Sequence, residues 1–181
     1  MNRRHLVVTL AVAATLVVSA PAAAATTWKS VKVANARFHS VTQASKAGYS
    51  MAGEPCVSAP PGTMGIHAVN FGLAGDLDIV PATPEILLYV PTSEGDLELV
   101  GVEYFAAALA NSAAGPIPWF GADPPAAGWF NPAPSALGQS FDGPMPGHNP
   151  NMPWHYDLHV WLYADNPAGT FAMFNPTLSC P

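Results

Sequence analysis

The most regular sequence in this chain is WHYDLHVWLY, at residues 154–163. Its side chains alternate with a period of two, which is typical of a β-strand. The even-numbered positions are apolar or aromatic and share one face of the predicted strand. The other face carries His155, Asp157, His159, Trp161 and Tyr163. Because aromatic rings stand beside the polar groups, we expect this second face to be covered, with a solvated outer face as the alternative.

Shorter β patterns precede this strand, at residues 65–71, 77–80, 85–90 and 97–105, and residues 170–174 follow it. Their apolar and β-branched content, between turns rich in Pro and Gly, predicts strands. The chain therefore predicts about six strands in a mostly antiparallel sheet.

Two other segments complete the predicted fold. Residues 26–46 carry apolar side chains at steps of three and four, which predicts one amphipathic helix packed on the sheet. Residues 106–153 lack periodicity and hold ten of the 20 prolines, which predicts a long Pro/Gly-rich loop, either a lid or a surface loop. The fold class predicted from these segments is α+β.

The first 25 residues have the three parts of a cleavable secretory signal. Arg3 and Arg4 precede an apolar run at residues 6–18, and small residues lead up to Ala25. The apolar run is shorter than the roughly 20 residues that cross a bilayer. We therefore expect residues 1–25 to be removed and residues 26–181 to form a single secreted domain, extracellular or periplasmic.

The charge of the predicted mature chain is uneven. Its four basic residues, Lys29, Lys32, Arg37 and Lys46, all precede residue 47, whereas its 12 acidic residues all follow residue 53, for a formal charge of −8. Nucleic acids and anionic membranes bind surfaces rich in Lys and Arg. The distribution argues against both of these partners and favours a metal ion or a neutral small molecule.

The chain has two cysteines, Cys56 and Cys180. In an oxidising compartment an even pair predicts a disulfide. Ligation of a metal by the two thiols is the alternative.

Histidines and carboxylates gather in a pattern that predicts a metal site. Three of the five histidines of the mature chain lie within residues 148–159, with Met145 and Met152 among them. Imidazole binds zinc and copper, and a thioether prefers Cu(I), so copper is the first expectation and zinc the second. The predicted ligands are His67, Glu103, His148, His155, Asp157 and His159.

The spacing limits which of these residues share one ion. On a straight strand His155 and His159 stand about 13 Å apart, so without a bulge an ion is shared by Asp157 with either His155 or His159; on a helix the two histidines would instead share one face. His67 lies on an apolar strand face, where a core histidine is the alternative to a ligand. Alternation places Glu103 with Leu97, Leu99, Gly101 and Phe105. A carboxylate on such a face needs a partner, and no Lys or Arg follows residue 46.

Two other functions fit the same sequence. One is an extracellular enzyme that uses the His/Glu/Asp cluster, although familiar catalytic motifs are missing. The other is a module that binds a small neutral ligand such as a sugar through aromatic side chains. Those side chains are Trp119, Phe120, Trp129, Phe130, Trp161 and Tyr163.

Four motifs, MGIH at 64–67, PEILLY at 84–89, LVGVEY at 99–104 and HYDLHVW at 155–161, together resemble a family of uncharacterised secreted bacterial proteins. The resemblance covers most of the mature chain and implies its organisation, since the family has no established activity. A shorter similarity, over residues 100–104 and 154–155, is to the plant oil-body-associated proteins.

Overall fold

The computed structural model describes residues 26–111 and 117–181, so the predicted signal sequence at residues 1–25 lies outside the described residues. The helical segments are α1 (Trp28–Asn35), a 3₁₀ turn (Ala36–His39), α2 (Val41–Lys46) and α3 (Phe71–Ala74). The strands are β1 (Cys56–Ala59), β2 (Gly62–Val69), β3 (Ile86–Pro91), β4 (Leu97–Ala107), β5 (Ser135–Ala136), β6 (Gln139–Ser140), β7 (Asp142–Met145) and β8 (His155–Val160). None of the described helices is long and apolar enough to cross a membrane.

Six of the strands form one antiparallel sheet in the order β1-β2-β3-β4-β8-β7, and β5 and β6 form a separate small hairpin. This confirms the predicted α+β fold. The strand predicted at residues 77–80 is absent because Leu77 has a positive φ and Asp76 closes a turn on the Asp78 amide. The strand predicted at 170–174 is irregular chain that accepts hydrogen bonds from Trp161.

The helix predicted over residues 26–46 is broken into three pieces. Thr27 caps the first piece by accepting from the Ser30 amide, and extended backbone at Ser40 separates the second from the third. The interruption buries Phe38 and leaves its carbonyl free to accept the Tyr89 hydroxyl. These pieces pack on one face of the sheet, which we call the helix face.

A β-bulge in β4 corrects the predicted alternation over residues 97–105. Leu88 pairs with Gly101 but Tyr89 pairs with Leu99, so Val100 is an extra residue. Leu99 consequently packs on the helix face, whereas Glu103 lies on the opposite face. A side chain at position 101 is excluded because its Cβ would stand 2.7 Å from the Val160 carbonyl oxygen.

The face of the sheet opposite the helices, which we call the histidine face, is covered as well. Its apolar members include Ile86, Leu88, Phe105 and Trp161. Side chains from residues 117, 152 and 178 pack against them. Both faces of β8 are therefore buried, although its sequence alternates between apolar and polar residues.

The disulfide predicted between Cys56 and Cys180 is present, with 5.7 Å between the Cα atoms. It ties the edge strand β1 to the end of the chain. Close by, Thr63 and Asn175 exchange backbone hydrogen bonds.

Candidate metal centre

Three polar side chains of β8 are buried on the histidine face. His155, Asp157 and His159 are each at most 2% exposed. Strand β4 runs alongside, and its register sets Glu103 opposite His159 and Phe105 opposite Asp157. The period of two in β8 thus carries three ionisable groups into the covered side of the sheet.

Glu103 stands between two histidines from different strands. Its Oε2 lies 3.1 Å from His67 Nε2 and 3.4 Å from His159 Nε2. The ligand atoms of these three residues all lie within 4.8 Å of one another. We call this group, contributed by β2, β4 and β8, the inner cluster.

The polar atoms of the inner cluster converge: His67 and Glu103 lie at salt-bridge distance, yet two buried atoms of the cluster lack a hydrogen bond of good geometry. Glu103 Oε2 and His159 Nε2 are buried and have no hydrogen-bond partner among residues 26–111 and 117–181. Burying such atoms unpaired costs about 1–3 kcal/mol each, and more when they are charged. A cation placed between them would satisfy them together.

The electrostatics of the inner cluster show how its members depend on one another. Burial acts to lower the pKa of His67, but the adjacent Glu103 carboxylate outweighs it and holds that pKa above its ordinary value. Burial acts to raise the pKa of Glu103, but His159 and His67 outweigh it and hold that pKa well below its usual range. The carboxylate is therefore the charged form that this site favours, and it requires positive charge nearby.

The remaining predicted ligands form a second group, which we call the outer group. His155 Nε2 lies 3.5 Å from Asp157 Oδ2, and the His148 ring stands edge-on to His155 with centroids 5.3 Å apart. His148 is exposed, whereas the other two are buried. Asp157 also approaches the inner cluster, since its Oδ1 lies 4.0 Å from His159 Nδ1.

Two contacts fix the orientation of His155. Its Nδ1 donates to the Pro153 carbonyl at 3.0 Å, and its ring stacks on Phe105 with centroids 5.2 Å apart. A carbonyl only accepts, so the hydrogen resides on Nδ1 and Nε2 faces Asp157. Sequence reasoning found His155 but missed these two supports, because neither Pro153 nor Phe105 belongs to a metal-site motif.

The methionines predicted for the site lie near it, whereas Trp161 and Tyr163 lie on opposite faces of the sheet. Met152 packs against the apolar part of the histidine face, and Met145 pairs in register with His155. Trp161 lies on the histidine face and donates to the Ala172 carbonyl. Tyr163 packs instead on the helix face, where its hydroxyl donates to the Lys32 carbonyl.

The predicted aromatic loop lies against the ends of β4 and β8. Trp129 packs on Trp154 with ring centroids 5.2 Å apart. Trp119, Phe120 and Phe130 are about half or more exposed, at 54%, 48% and 71%. The side chains proposed for a neutral ligand therefore divide into an exposed set and a set used in packing.

One buried carboxyl group lies apart from the two histidine groups. Glu85 is 1% exposed, and its Oε2 accepts from the Phe105 amide at 3.1 Å. Burial raises the pKa of Glu85 to about 7, and the amide of Phe105 opposes this rise in part. Glu85 therefore holds a proton at pH values below about 7, in contrast to Glu103.

Comparison of the chain with models of known families, with curated proteins and with solved structures finds no match. The resemblance to secreted bacterial proteins and the shorter similarity to plant oil-body-associated proteins stay predictions.

Proposed function

We propose that this protein is a secreted metal-binding protein that holds a divalent transition-metal ion at the inner cluster. The observation that carries the proposal is the convergence of His67, Glu103 and His159, in which Glu103 Oε2 and His159 Nε2 are buried with no hydrogen-bond partner among the described residues. Donor atoms around a tetrahedral zinc ion, bound at about 2.0–2.1 Å, lie roughly 3.4 Å from one another. The two short contacts of Glu103 Oε2, 3.1 and 3.4 Å, are close to that spacing.

The charge of the surroundings favours a metal ion over a protein cation. No Lys or Arg occurs after residue 46, and the four among residues 26–46 lie on the helical segments. Those segments pack on the helix face, on the far side of the sheet from Glu103. The described side chains next to the Glu103 carboxylate are instead His67 and His159, and imidazoles bind a metal ion in their neutral form.

The donor set indicates zinc or copper(II). Two imidazoles and one carboxylate suit divalent zinc and copper, whereas Cu(I) prefers the softer thioether and thiolate. Met152 lies among the apolar residues that cover the same face. We therefore place zinc and copper(II) ahead of copper(I).

The predicted signal at residues 1–25 supports secretion, and the disulfide between Cys56 and Cys180 is of the kind that persists in oxidising compartments. A metal site outside the cytoplasm needs donor atoms that withstand an oxidising environment. Imidazole and carboxylate donors meet this requirement because neither is oxidised under ordinary conditions.

Metal analysis tests the proposal. Untagged protein is purified from culture medium, and zinc and copper are measured per chain in the wild type, in Glu103→Gln and in Glu94→Gln. Glu94 is exposed in the turn before β4, so its variant is the matched control. We expect a bound ion in the wild type and control and its loss in Glu103→Gln. Equal metal content in all three would contradict the proposal.

A second candidate function is hydrolysis at the same ion, favoured by the ligand count. Three protein ligands leave one position of a tetrahedral zinc ion open, as catalytic zinc sites do. His67 is 13% exposed, so solvent reaches one ligand of the inner cluster. Turnover of activated ester or peptide substrates by the zinc-loaded protein, lost in Glu103→Gln, would support it.

A further inference from the structure

We propose that the outer group is a second cation position, so that this protein binds two divalent ions side by side. The second ion lies between His155 Nε2 and Asp157 Oδ2, and His148, whose ring stands edge-on to His155, turns in to complete the site as a third ligand; in the structure the donor atoms of these three residues do not all lie within 4.8 Å of one another. This goes beyond the proposed function, which requires the inner cluster alone.

The first argument is the unpaired state of buried atoms. His155 Nε2 and both carboxylate oxygens of Asp157 are buried, and none has a hydrogen-bond partner among the described residues. Their side chains are 0% and 1% exposed. Buried charged groups in folded proteins are paired or coordinate metals, and the inner cluster supplies no partner for these three atoms.

The second argument is the tautomer of His155. Because Nδ1 donates to the Pro153 carbonyl, the neutral ring presents a lone pair at Nε2. That lone pair meets another acceptor, Asp157 Oδ2, across 3.5 Å. Two acceptors that face each other in a buried place require something positive between them.

The third argument is the width of the gap. A proton shared between an imidazolium and a carboxylate draws the heavy atoms to about 2.7–2.9 Å. Two donors on one tetrahedral divalent ion stand roughly 3.4 Å apart. The observed separation of 3.5 Å corresponds to the ion.

The two positions are linked through one side chain. Asp157 Oδ1 faces His159 Nδ1 at 4.0 Å, while His159 Nε2 belongs to the inner cluster. The carboxylate that would hold the outer ion therefore also stands beside an inner ligand, although 4.0 Å is too long for a hydrogen bond. For this reason a variant at Asp157 would disturb both positions and is not the diagnostic one.

Zinc stoichiometry tests the inference. The full secreted chain is stripped with a chelator and titrated with Zn(II), followed by calorimetry and native mass spectrometry. His155→Phe keeps the stacking on Phe105 and removes the Nε2 ligand, Glu103→Gln removes the inner ligand, and exposed His148 is changed to Ala. We expect two ions in the wild type, one in His155→Phe and one in Glu103→Gln. For His148→Ala we expect the affinity for the second ion to fall by about tenfold or more.

Several outcomes would overturn the inference and separate it from the proposed function. One ion in both wild type and His155→Phe removes the second position and leaves the inner site standing. If the wild type and His155→Phe each bind two ions, the second ion lies somewhere other than the outer group. Undiminished binding in Glu103→Gln instead contradicts the proposed function. If His155→Phe fails to fold, as judged by circular dichroism, His148→Ala decides, and unchanged affinity for the second ion refutes the inference.

Discussion

The replacement Glu103→Gln should abolish the stabilisation of the folded protein by zinc. Glu103 supplies the oxygen that both short contacts of the inner cluster share, and each of the three ligands comes from a different strand. Zinc bound there would hold β2, β4 and β8 together in the folded state. An ion that binds the folded state alone raises the free energy of unfolding by RT ln(1 + [Zn]/Kd).

The expected size follows from this relation. At a free zinc concentration of 100 times Kd the gain is about 2.7 kcal/mol. For a domain of this length that corresponds to a rise in Tm of roughly 5–11 °C. Loss of one direct ligand weakens binding by about 100-fold or more, since even outer partners of ligands contribute 10–100-fold. At the same zinc concentration the variant would then gain about 0.4 kcal/mol, or roughly 1 °C.

Differential scanning calorimetry with and without zinc measures the shift. Each protein is compared with its own metal-free form, so any change that the substitution makes to the metal-free fold cancels. Glu94→Gln makes the same chemical change at an exposed position and should retain the full shift. A zinc-dependent rise in Glu103→Gln equal to that of the wild type would refute the reasoning.

Other predictions concern the fold that carries the site. The pKa of Glu85 is raised to about 7 from an ordinary 4.5, so the group stabilises the folded state at low pH and loses that contribution as pH rises through this window. Urea unfolding should therefore show that the free energy of unfolding falls between pH 4.5 and pH 7.5, and that the fall is up to about 3 kcal/mol larger in the wild type than in Glu85→Gln. Equal falls in the two proteins would contradict this. Replacing Cys56 and Cys180 together by Ser should lower the free energy of unfolding by about 4–5 kcal/mol, and a change under 1 kcal/mol would count against the cross-link. Gly101→Ala should destabilise by about 1–3 kcal/mol, because the new Cβ meets the Val160 carbonyl; unchanged urea unfolding would show that β4 and β8 have room there.

Local sequence patterns predicted the parts of the site that a single strand determines. The alternation over residues 154–163 placed His155, Asp157 and His159 on one face, and the structure has all three there. The alternation over residues 97–105, together with the lack of any Lys or Arg after residue 46, predicted that Glu103 points inward and lies close to histidines, and it lies against His67 and His159. Both inferences depend on residues close in sequence or on composition, which tertiary packing does not alter.

Features set by contacts between distant segments were not predictable. The bulge at Val100 depends on the approach of Gly101 to β8, so simple alternation assigned Leu97 and Leu99 to the wrong face. The helix break before Ser40 depends on the Tyr89 hydroxyl, which arrives from β3. The periodicity of residues 26–46 does not depend on Tyr89 and therefore could not predict this break.

The edge strand β7 and the division of the predicted ligands into two groups were not predicted, for related reasons. Strand β7 contains Gly143 and Pro144, residues that interrupt a strand pattern and are tolerated at a sheet edge. The six predicted ligands separate into two groups because β4 aligns Glu103 with His159 and leaves His155 four residues away. The register between β4 and β8 depends on how the two strands pair, so the sequence of either strand alone does not predict it.

Anomalous diffraction at the zinc absorption edge is the most direct test of the metal site. Crystals of the chelator-treated protein are soaked in Zn(II), and difference maps are computed on either side of the edge. The proposed function predicts an ion about 2.0–2.2 Å from His67 Nε2, Glu103 Oε2 and His159 Nε2. Zinc found at exposed carboxylates, with none among these three atoms, would contradict it.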